Sequence, residues 1–202
     1  MRITYYGHSC FTLESQGFRI VVDPYRDYVP GYKKLDLEAD AAYCSHGHDD
    51  HCWVQDVTMR ENGAKDPFTV TEIAGFHDDV RGAKRGPNTM RVFEAEGLKV
   101  AHLGDIGCFP PEEDLEKLKR LDACLVPVGG FYTIDAKQAK ALMDILQPRV
   151  IIPMHYRLGK FGFAEIGELK TFTDLYESVQ FAGSQTIELK DDYPNGVVVL
   201  HC

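Results

Sequence analysis

Three of the eight histidines lie within seven residues, in the segment SHGHDDH at positions 45–51. Imidazole and carboxylate groups together suit zinc, iron or manganese, whereas a thiolate-rich set would indicate a structural zinc site. In an extended or looping chain, two histidines at alternate positions project to the same side and can bind one ion, and the next two groups can reach a second ion. A polar surface loop would rarely have this spacing. The segment therefore predicts metal binding through His46, His48, Asp50 and His51.

Two ions need more ligands than one loop supplies, and three further candidates each follow a predicted strand. They are His77 in AGFHDD, Asp105 in AHLGDIG and His155 in IPMHY. A single histidine after an apolar strand more often has a structural role than a ligand role. The metal-binding cluster elsewhere in the chain makes the ligand role the stronger interpretation here.

The length and the net charge of the chain limit the classes of protein to which it can belong. A chain of 202 residues is most simply one domain, residues 1–202. The formal net charge of −9 and the lack of a dense Lys/Arg cluster argue against nucleic acid as a partner. The sequence contains neither an apolar run long enough for a membrane span nor the apolar segment of a signal peptide, so a cytoplasmic location is expected.

The cysteines show no CxxC pair, and the chain is not a short secreted one. Free, mostly buried thiols are therefore expected. The six are Cys10, Cys44, Cys52, Cys108, Cys124 and Cys202.

The pattern of apolar residues predicts strands in the first half of the chain and alternating strands and helices in the second. Glu96-Gly97 is typical of a hairpin turn. Helices are predicted within residues 110–121, 136–147 and 167–179, the second beginning with a capping box of Asp135 and Gln138. This order indicates an α/β protein with helices packed on the outer faces of its sheets.

The complete series of motifs resembles the metallo-β-lactamase superfamily. The HxHxDH cluster, a later His, a Gly-Asp after a strand and a last His follow the order of that superfamily along nearly the whole chain. The segments GHS at 7–9, FHDD at 76–79, RGPNT at 85–89, HLGDIG and PMHY further resemble its small, single-domain metal-dependent hydrolases, which are similar to bacterial ascorbate-6-phosphate lactonases. The resemblance implies a four-layer αββα sandwich with two metal ions at one edge.

The resemblance also implies how the ligands divide. His46, His48 and His77 would bind the first ion, and Asp50, His51 and His155 the second. Asp105 would bridge them, because a carboxylate has two oxygens to share and an imidazole has one free lone pair. Zinc is the expected metal, with manganese or iron as alternatives, and the nucleophile would be a hydroxide shared by the two ions.

Other residues have weaker support. Asp50 is the expected proton acceptor, and the resemblance places His8 near the metals as a donor or as the acid for the leaving group. Asp78 and Asp79 could hold ligand imidazoles in place or be solvated charges. Arg81, Lys84 and Arg85 could bind an anionic group or be solvated loop residues. The positions expected to contact the substrate are Arg85, Asn88 and Tyr132.

These observations predict a hydrolase that cleaves an ester-like bond, in a lactone or a phosphoester, of a small anionic metabolite. A di-iron oxidoreductase is the first alternative, although such relatives typically have Glu where this chain has His48 and add a flavin-binding domain. The second is a binding protein without catalysis, which would most simply lack a ligand. Association into a homo-oligomer is compatible with the sequence.

Overall fold

The computed structural model describes residues 1–61 and 63–201, and its first sheet has five strands. Their order is β13-β1-β2-β3-β5, and β1, β2 and β3 form an antiparallel meander as the sequence predicts. A separate pair of short parallel strands, β4 and β6, was not predicted. The bounds are β1 Arg2–Gly7, β2 Cys10–Ser15, β3 Phe18–Val22, β4 Leu37–Ala39, β5 Ala41–Tyr43, β6 Val57–Met59 and β13 Thr186–Glu188.

The second sheet has seven strands in the order β12-β14-β11-β10-β9-β8-β7. The neighbouring strands β9, β10, β11, β14 and β12 run parallel to one another, whereas β8 pairs antiparallel with both β7 and β9. The predicted hairpin joins β8 to β9, and both Glu96 and Gly97 have positive φ, as a tight hairpin turn requires. The bounds are β7 Thr69–Phe76, β8 Pro87–Ala95, β9 Leu98–His102, β10 Ala123–Pro127, β11 Val150–Met154, β12 Val179–Phe181 and β14 Gly196–Val199.

Three α-helices occur where the sequence predicts them, but two are short. The helix α1 spans Glu112–Lys117, α2 spans Ala136–Leu146 and α3 spans Leu169–Thr173. The capping box of Asp135 and Gln138 begins α2 as predicted. The positive φ of Arg120 shows that the chain has left the helical path before the predicted end of α1. No helix among the described residues is long and apolar enough to cross a membrane.

The hydrophobic core lies between the two sheets. Alternate residues of the five-stranded sheet, among them Phe11 and Val22, join residues of the seven-stranded sheet and the buried face of α2 in one cluster. The opposite side chains, Cys10 and Val21, belong to a second cluster with residues of the 24–36 segment and of β4 and β6. The outer layer on this sheet is therefore a loop and two short strands, not a long helix.

The prediction of free thiols is wrong for two of the cysteines. Cys44 and Cys52 form a disulfide, while Cys10, Cys108 and Cys124 are free, and Cys202 lies outside the described residues. The loop between the bridged residues folds back on itself, because the backbone N–H groups of residues 51 and 52 both donate to the carbonyl of His48, at 2.9 and 2.8 Å. This turn brings the Cα atoms of Cys44 and Cys52 to a distance of 5.2 Å from each other. Spacing in the sequence does not show such a return of the chain.

Candidate metal centre

All seven predicted ligands meet at one edge of the two sheets. Four lie in the loop after β5, and the others follow β7, β9 and β11. Their ligand atoms form groups whose members lie within 4.8 Å of one another. These groups are His46, His48 and His77; His8, Asp50, His51 and His155; and His46, His51 and Asp105. The first group is the ligand set expected for the first ion. The second group contains the set expected for the second ion, with His8 in addition.

Asp105 lies between the two sets and is buried. Its Oδ2 atom is 3.2 Å from Nε2 of His51, 3.2 Å from Nε2 of His77 and 3.3 Å from Nε2 of His155. Burial would raise the pKa of this carboxyl, but the imidazoles of His155 and His51 hold that pKa well below its usual range. An ionised carboxylate among three imidazole nitrogens has the geometry of a bridging ligand.

Buried polar atoms without hydrogen-bond partners indicate that the cluster fits divalent metal ions. Buried polar atoms normally have hydrogen-bond partners. Here Nε2 of His46 and Oδ1 of Asp105 are buried without one among the described residues. Nδ1 of His46 lies 2.9 Å from the Ser45 hydroxyl, which leaves Nε2 toward the centre. Burial lowers the pKa of His46 to about 3, so its imidazole is neutral, the form that binds metal.

Asp23 is a residue of this site that sequence reasoning missed. It follows β3 and is fully buried. Its carboxylate accepts from the backbone N–H and the hydroxyl of Ser45, both at 2.6 Å, and lies 2.9 Å from Nδ1 of His51. Asp23 thus holds both the start of the metal-binding loop and one ligand imidazole. The available signal was a carboxylate directly after the apolar strand FRIVV, the signal that also identified Asp105.

Asn88 lies behind the centre and does not line the cleft. Its amide donates to the carbonyl of Leu103 at 2.9 Å, and its side-chain oxygen accepts from the backbone N–H of Asp105 at 2.8 Å. Between these two residues, Gly104 has φ +56°, and a Cβ there would lie 2.3 Å from the Asn88 side-chain oxygen. Asn88 and Gly104 therefore position the Asp105 carboxylate.

His8 lies beside the centre, as the resemblance implies. Its Nε2 atom is 3.3 Å from Oδ2 of Asp50, and its carbonyl accepts from the backbone N–H of His155 at 2.8 Å. Burial and the neighbouring His155 lower the pKa of His8 to about 4, so the ring is neutral at physiological pH. Burial would raise the pKa of Asp50, but the hydrogen bond from His8 and the charge of His51 hold it below its usual range.

The two acidic residues after His77 support the next loop and not the imidazoles. The Asp78 carboxylate accepts from four backbone N–H groups, those of residues 80, 82, 84 and 85, at 2.7–3.0 Å. The Asp79 carboxylate pairs with Lys84 at 3.1 Å. Of the two alternatives that the sequence left open, the role of holding ligand imidazoles has no hydrogen bond in its favour among the described residues. A carboxylate followed by several turn residues forms its hydrogen bonds locally, and the sequence pattern does not separate the two cases.

A cleft of about 540 Å³ opens at the metal centre. Of the basic residues after His77, only Arg85 lines it, and its guanidinium lies 4.5 Å above the ring of Tyr132. Tyr132 supports Arg85 from outside the cleft. Beside the ligand residues, the lining consists of Tyr28, Gly47, Asp49, Arg85, Phe131, Phe163, Glu165 and Ile166.

A family model described as a β-lactamase superfamily domain matches residues 2–155 of the chain. A candidate zinc-dependent hydrolase of the metallo-β-lactamase superfamily from Thermotoga maritima has a solved structure that aligns with a TM-score of 0.77 and 34% identity, over 98% of this chain and 97% of that one. The chain belongs to the metallo-β-lactamase superfamily. The predicted family and fold are thereby confirmed.

Curated relatives in this superfamily are named metal-dependent hydrolases. One from Nanoarchaeum equitans is 29% identical over 189 residues, 77% of this chain and 84% of its own length. Another from Carboxydothermus hydrogenoformans is 27% identical over 207 residues, 84% of this chain and 91% of its own. The chain is thus a member of a family of metal-dependent hydrolases, and its His/Asp cluster is a group of side chains that could hold a metal ion.

Proposed function

We propose that the chain is a dinuclear metal-dependent hydrolase that cleaves an ester-like bond, a lactone or a phosphoester, in a small anionic metabolite. The observation that carries this proposal is the position of the Asp105 carboxylate. One of its oxygens lies within 3.3 Å of imidazole nitrogens from His51, His77 and His155. This carboxylate joins two sets of ligand atoms at the floor of an open cleft.

In this proposal, the ligands divide between the two ions as the family resemblance implies. His46, His48 and His77 would hold the first ion, Asp50, His51 and His155 would hold the second, and Asp105 would be a ligand of both. An imidazole-rich set with three carboxylate or imidazole ligands on each side suits zinc, with manganese and iron as alternatives. When bound, two such ions lower the pKa of water and stabilise the negative charge that develops on the substrate.

The protein residues then orient the reactants and move the proton. Asp50 lines the cleft and is ionised, so its carboxylate can accept the proton of the attacking water. His8 is neutral and does not line the cleft, and its Nε2–H donates to Asp50. We assign His8 the role of positioning residue for Asp50. Arg85, with its charge at the cleft wall, is the residue proposed to bind the anionic part of the substrate.

Neither alternative has an observation in its favour. His48 groups with His46 and His77, so the first set consists of imidazoles where the di-iron relatives typically have a carboxylate. All seven ligand residues converge and the cleft is open to solvent, so the site lacks the simplest marks of a protein that has lost catalysis.

Metal analysis and a substrate screen test the proposal. The purified protein is expected to contain near two equivalents of divalent metal and to hydrolyse one class among lactones, phosphodiesters, phosphomonoesters and thioesters. Asp105→Ala and His155→Ala should abolish activity, whereas His201→Ala is the matched control, because its exposed side chain lies far along the chain from the centre. A folded protein that binds no divalent metal would contradict the proposal.

A further inference from the structure

One wall of the cleft beside the metal centre is apolar. Tyr28, Phe131, Phe163 and Ile166 line it, and Phe131 and Tyr28 are 54% and 49% exposed. Among the described residues that line the cleft, there is no Ser, Thr, Asn or Gln. The hydroxyl of Tyr28 and the charged side chains supply the hydrogen-bonding groups of the cleft, and the exposed aromatic rings favour an apolar group on the ligand.

One charged group of the cleft is available to an anion. The Arg85 backbone N–H donates to Asp78 at 2.8 Å, and its guanidinium is stacked 4.5 Å above Tyr132. The basic residues on either side of it, Lys84 and Arg91, pair with Asp79 and Glu72, whereas no carboxylate pairs with the Arg85 guanidinium within the part of the chain that the structure describes. Arg85 is thus held both at its backbone and at its guanidinium, and a planar guanidinium fixed in this way is preorganised to bind a carboxylate or phosphate.

The remaining charges at the cleft set the orientation of a ligand. Asp49 is already paired with Arg26, at 3.0 Å, so its charge is largely compensated. Glu165 follows Phe163 in the chain and is exposed, so its carboxylate repels an anion from that side of the cleft. The anionic group of a ligand is therefore directed to Arg85, and the apolar group to the wall that contains Phe163.

This apolar wall reaches the reacting groups. The ring of Phe163 lies 5.6 Å from that of His8 in an edge-on arrangement, and 5.9 Å from that of Tyr28. Because His8 contacts Asp50, an apolar group packed on Phe163 is held next to the proposed proton acceptor.

We propose that the substrate carries both an anionic group, bound by Arg85, and an aromatic or bulky apolar group, bound by Phe163, Tyr28 and Phe131. This inference rests on the proposed function for the bond that is cleaved, but it concerns recognition and can be tested by binding alone. Tyr132 is in this proposal a positioning residue that acts through Arg85.

Three carboxylates that differ only in their tails test it: 3-phenylpropionate, propionate and gluconate. Their binding to the metal-loaded protein is measured by calorimetry. We expect 3-phenylpropionate to bind about tenfold or more tightly than either of the others, because burial of a phenyl ring is strongly favourable. Phe163→Ala should reduce the ratio between 3-phenylpropionate and propionate. Gluconate binding as tightly as 3-phenylpropionate, or no binding of any of the three at millimolar concentration, would overturn the proposal.

Variants of the anion receptor separate Arg85 from the metal ions, which also attract carboxylates. Arg85→Gln should weaken all three ligands about five- to tenfold, as expected for loss of a charge-assisted hydrogen bond. Arg81→Gln is the matched control, because it removes the same charge from the same loop outside this cleft. Tyr132→Phe should retain affinity and Tyr132→Leu should not, since the ring face holds the guanidinium. Unchanged affinity in Arg85→Gln would overturn the assignment.

The outcomes also separate this inference from the proposed function. If the binding preferences are found but no ester, lactone or phosphoester is hydrolysed, the hydrolase proposal fails and the recognition proposal stands. If sugar lactones are hydrolysed efficiently and the phenyl tail brings no gain in affinity, the recognition proposal fails and the hydrolase proposal stands.

Discussion

At the residue scale, the centre depends on groups that do not themselves touch a metal ion. Asp23 accepts from Ser45 and contacts His51, and Asn88 accepts from the backbone of Asp105. Hydrogen bonds of this kind fix the tautomer and the orientation of the ligands. Residue type and spacing identified the seven candidate ligands, and the fold brings them together. The roles of Asp23 and Asn88 depend on which side chain faces them in the fold, although the position of Asp23 directly after an apolar strand was a signal.

Asp23→Ala should lower metal affinity by about 10- to 100-fold, the usual cost of losing a group that orients a ligand. The physical reason is that His51 loses the partner of its Nδ1 atom and Ser45 loses both of its hydrogen bonds to the carboxylate. Competition with a chromogenic chelator measures the change. Asp27→Ala, an exposed carboxylate in the same segment, is the control. Equal affinities of the two variants would refute the role given to Asp23.

Metal binding should release a proton from His51, and the affinity should rise with pH. Burial would lower the pKa of His51, but Asp105 and Asp23 hold that pKa well above its usual range in the metal-free protein. The raised pKa means that this imidazole is protonated near neutral pH, and a metal ion must displace the proton before Nε2 can bind it. Calorimetry in buffers with different ionisation enthalpies counts the protons released. Affinity independent of pH between about 6 and 8, across the usual range of histidine, would contradict this.

At the scale of elements, each ligand is presented at a strand end, and one loop supplies four of them. The sequence predicted the strands β1 to β3 and β7 to β11 well, because their period-two or fully apolar patterns are local properties. The strands β4 and β6 were missed, since each is only three residues long and is stabilised by its partner. The disulfide across the metal-binding loop was missed for a similar reason, because it depends on the path of the chain between its cysteines.

Reduction of the Cys44–Cys52 disulfide should lower the free energy of unfolding by about 2–3 kcal/mol, the loop-entropy value for a closed loop of this size. Chemical denaturation of the wild type and of a Cys44→Ser/Cys52→Ser variant, with and without a reducing agent, measures the change. The wild type should respond to the reducing agent and the variant should not. Cys108→Ser, which removes a free thiol, serves as the control. A wild type unaffected by reduction would show that the bridge does not contribute.

At the scale of the whole molecule, the last strands of the chain complete both sheets. The strand β13 pairs with β1 in the five-stranded sheet, and β14 pairs with β11 in the seven-stranded sheet. The N-terminal amino group also contacts the carbonyl of Leu189, at 3.1 Å. Residues beyond the matched family domain are therefore part of the same sandwich. The single domain over residues 1–202, which was expected from the length of the chain, stays a prediction. A cytoplasmic location and association into oligomers stay predictions.

The chain should unfold in one transition whose midpoint rises with bound metal. One core cluster spans both sheets, so neither sheet can separate without exposing apolar surface of the other. A metal that binds only the folded state stabilises it by about 2.7 kcal/mol at a hundredfold excess over its dissociation constant. Calorimetry of the metal-loaded protein and of the chelator-treated protein measures both effects. Two separate transitions would argue against a single domain.

The sequence by itself determined the metal chemistry, the family and most of the strands. Those properties depend on residue type and on spacing between neighbours, which the linear order of residues contains. Only the tertiary structure decided that Asp23 and Asn88 support the centre, that Cys44 and Cys52 are bonded, and that Arg85 alone of three nearby basic residues lines the cleft. The physical reason is that each of these features depends on the path of the backbone and on which side chains face one another in the packed sheets, and residue type and spacing do not specify either.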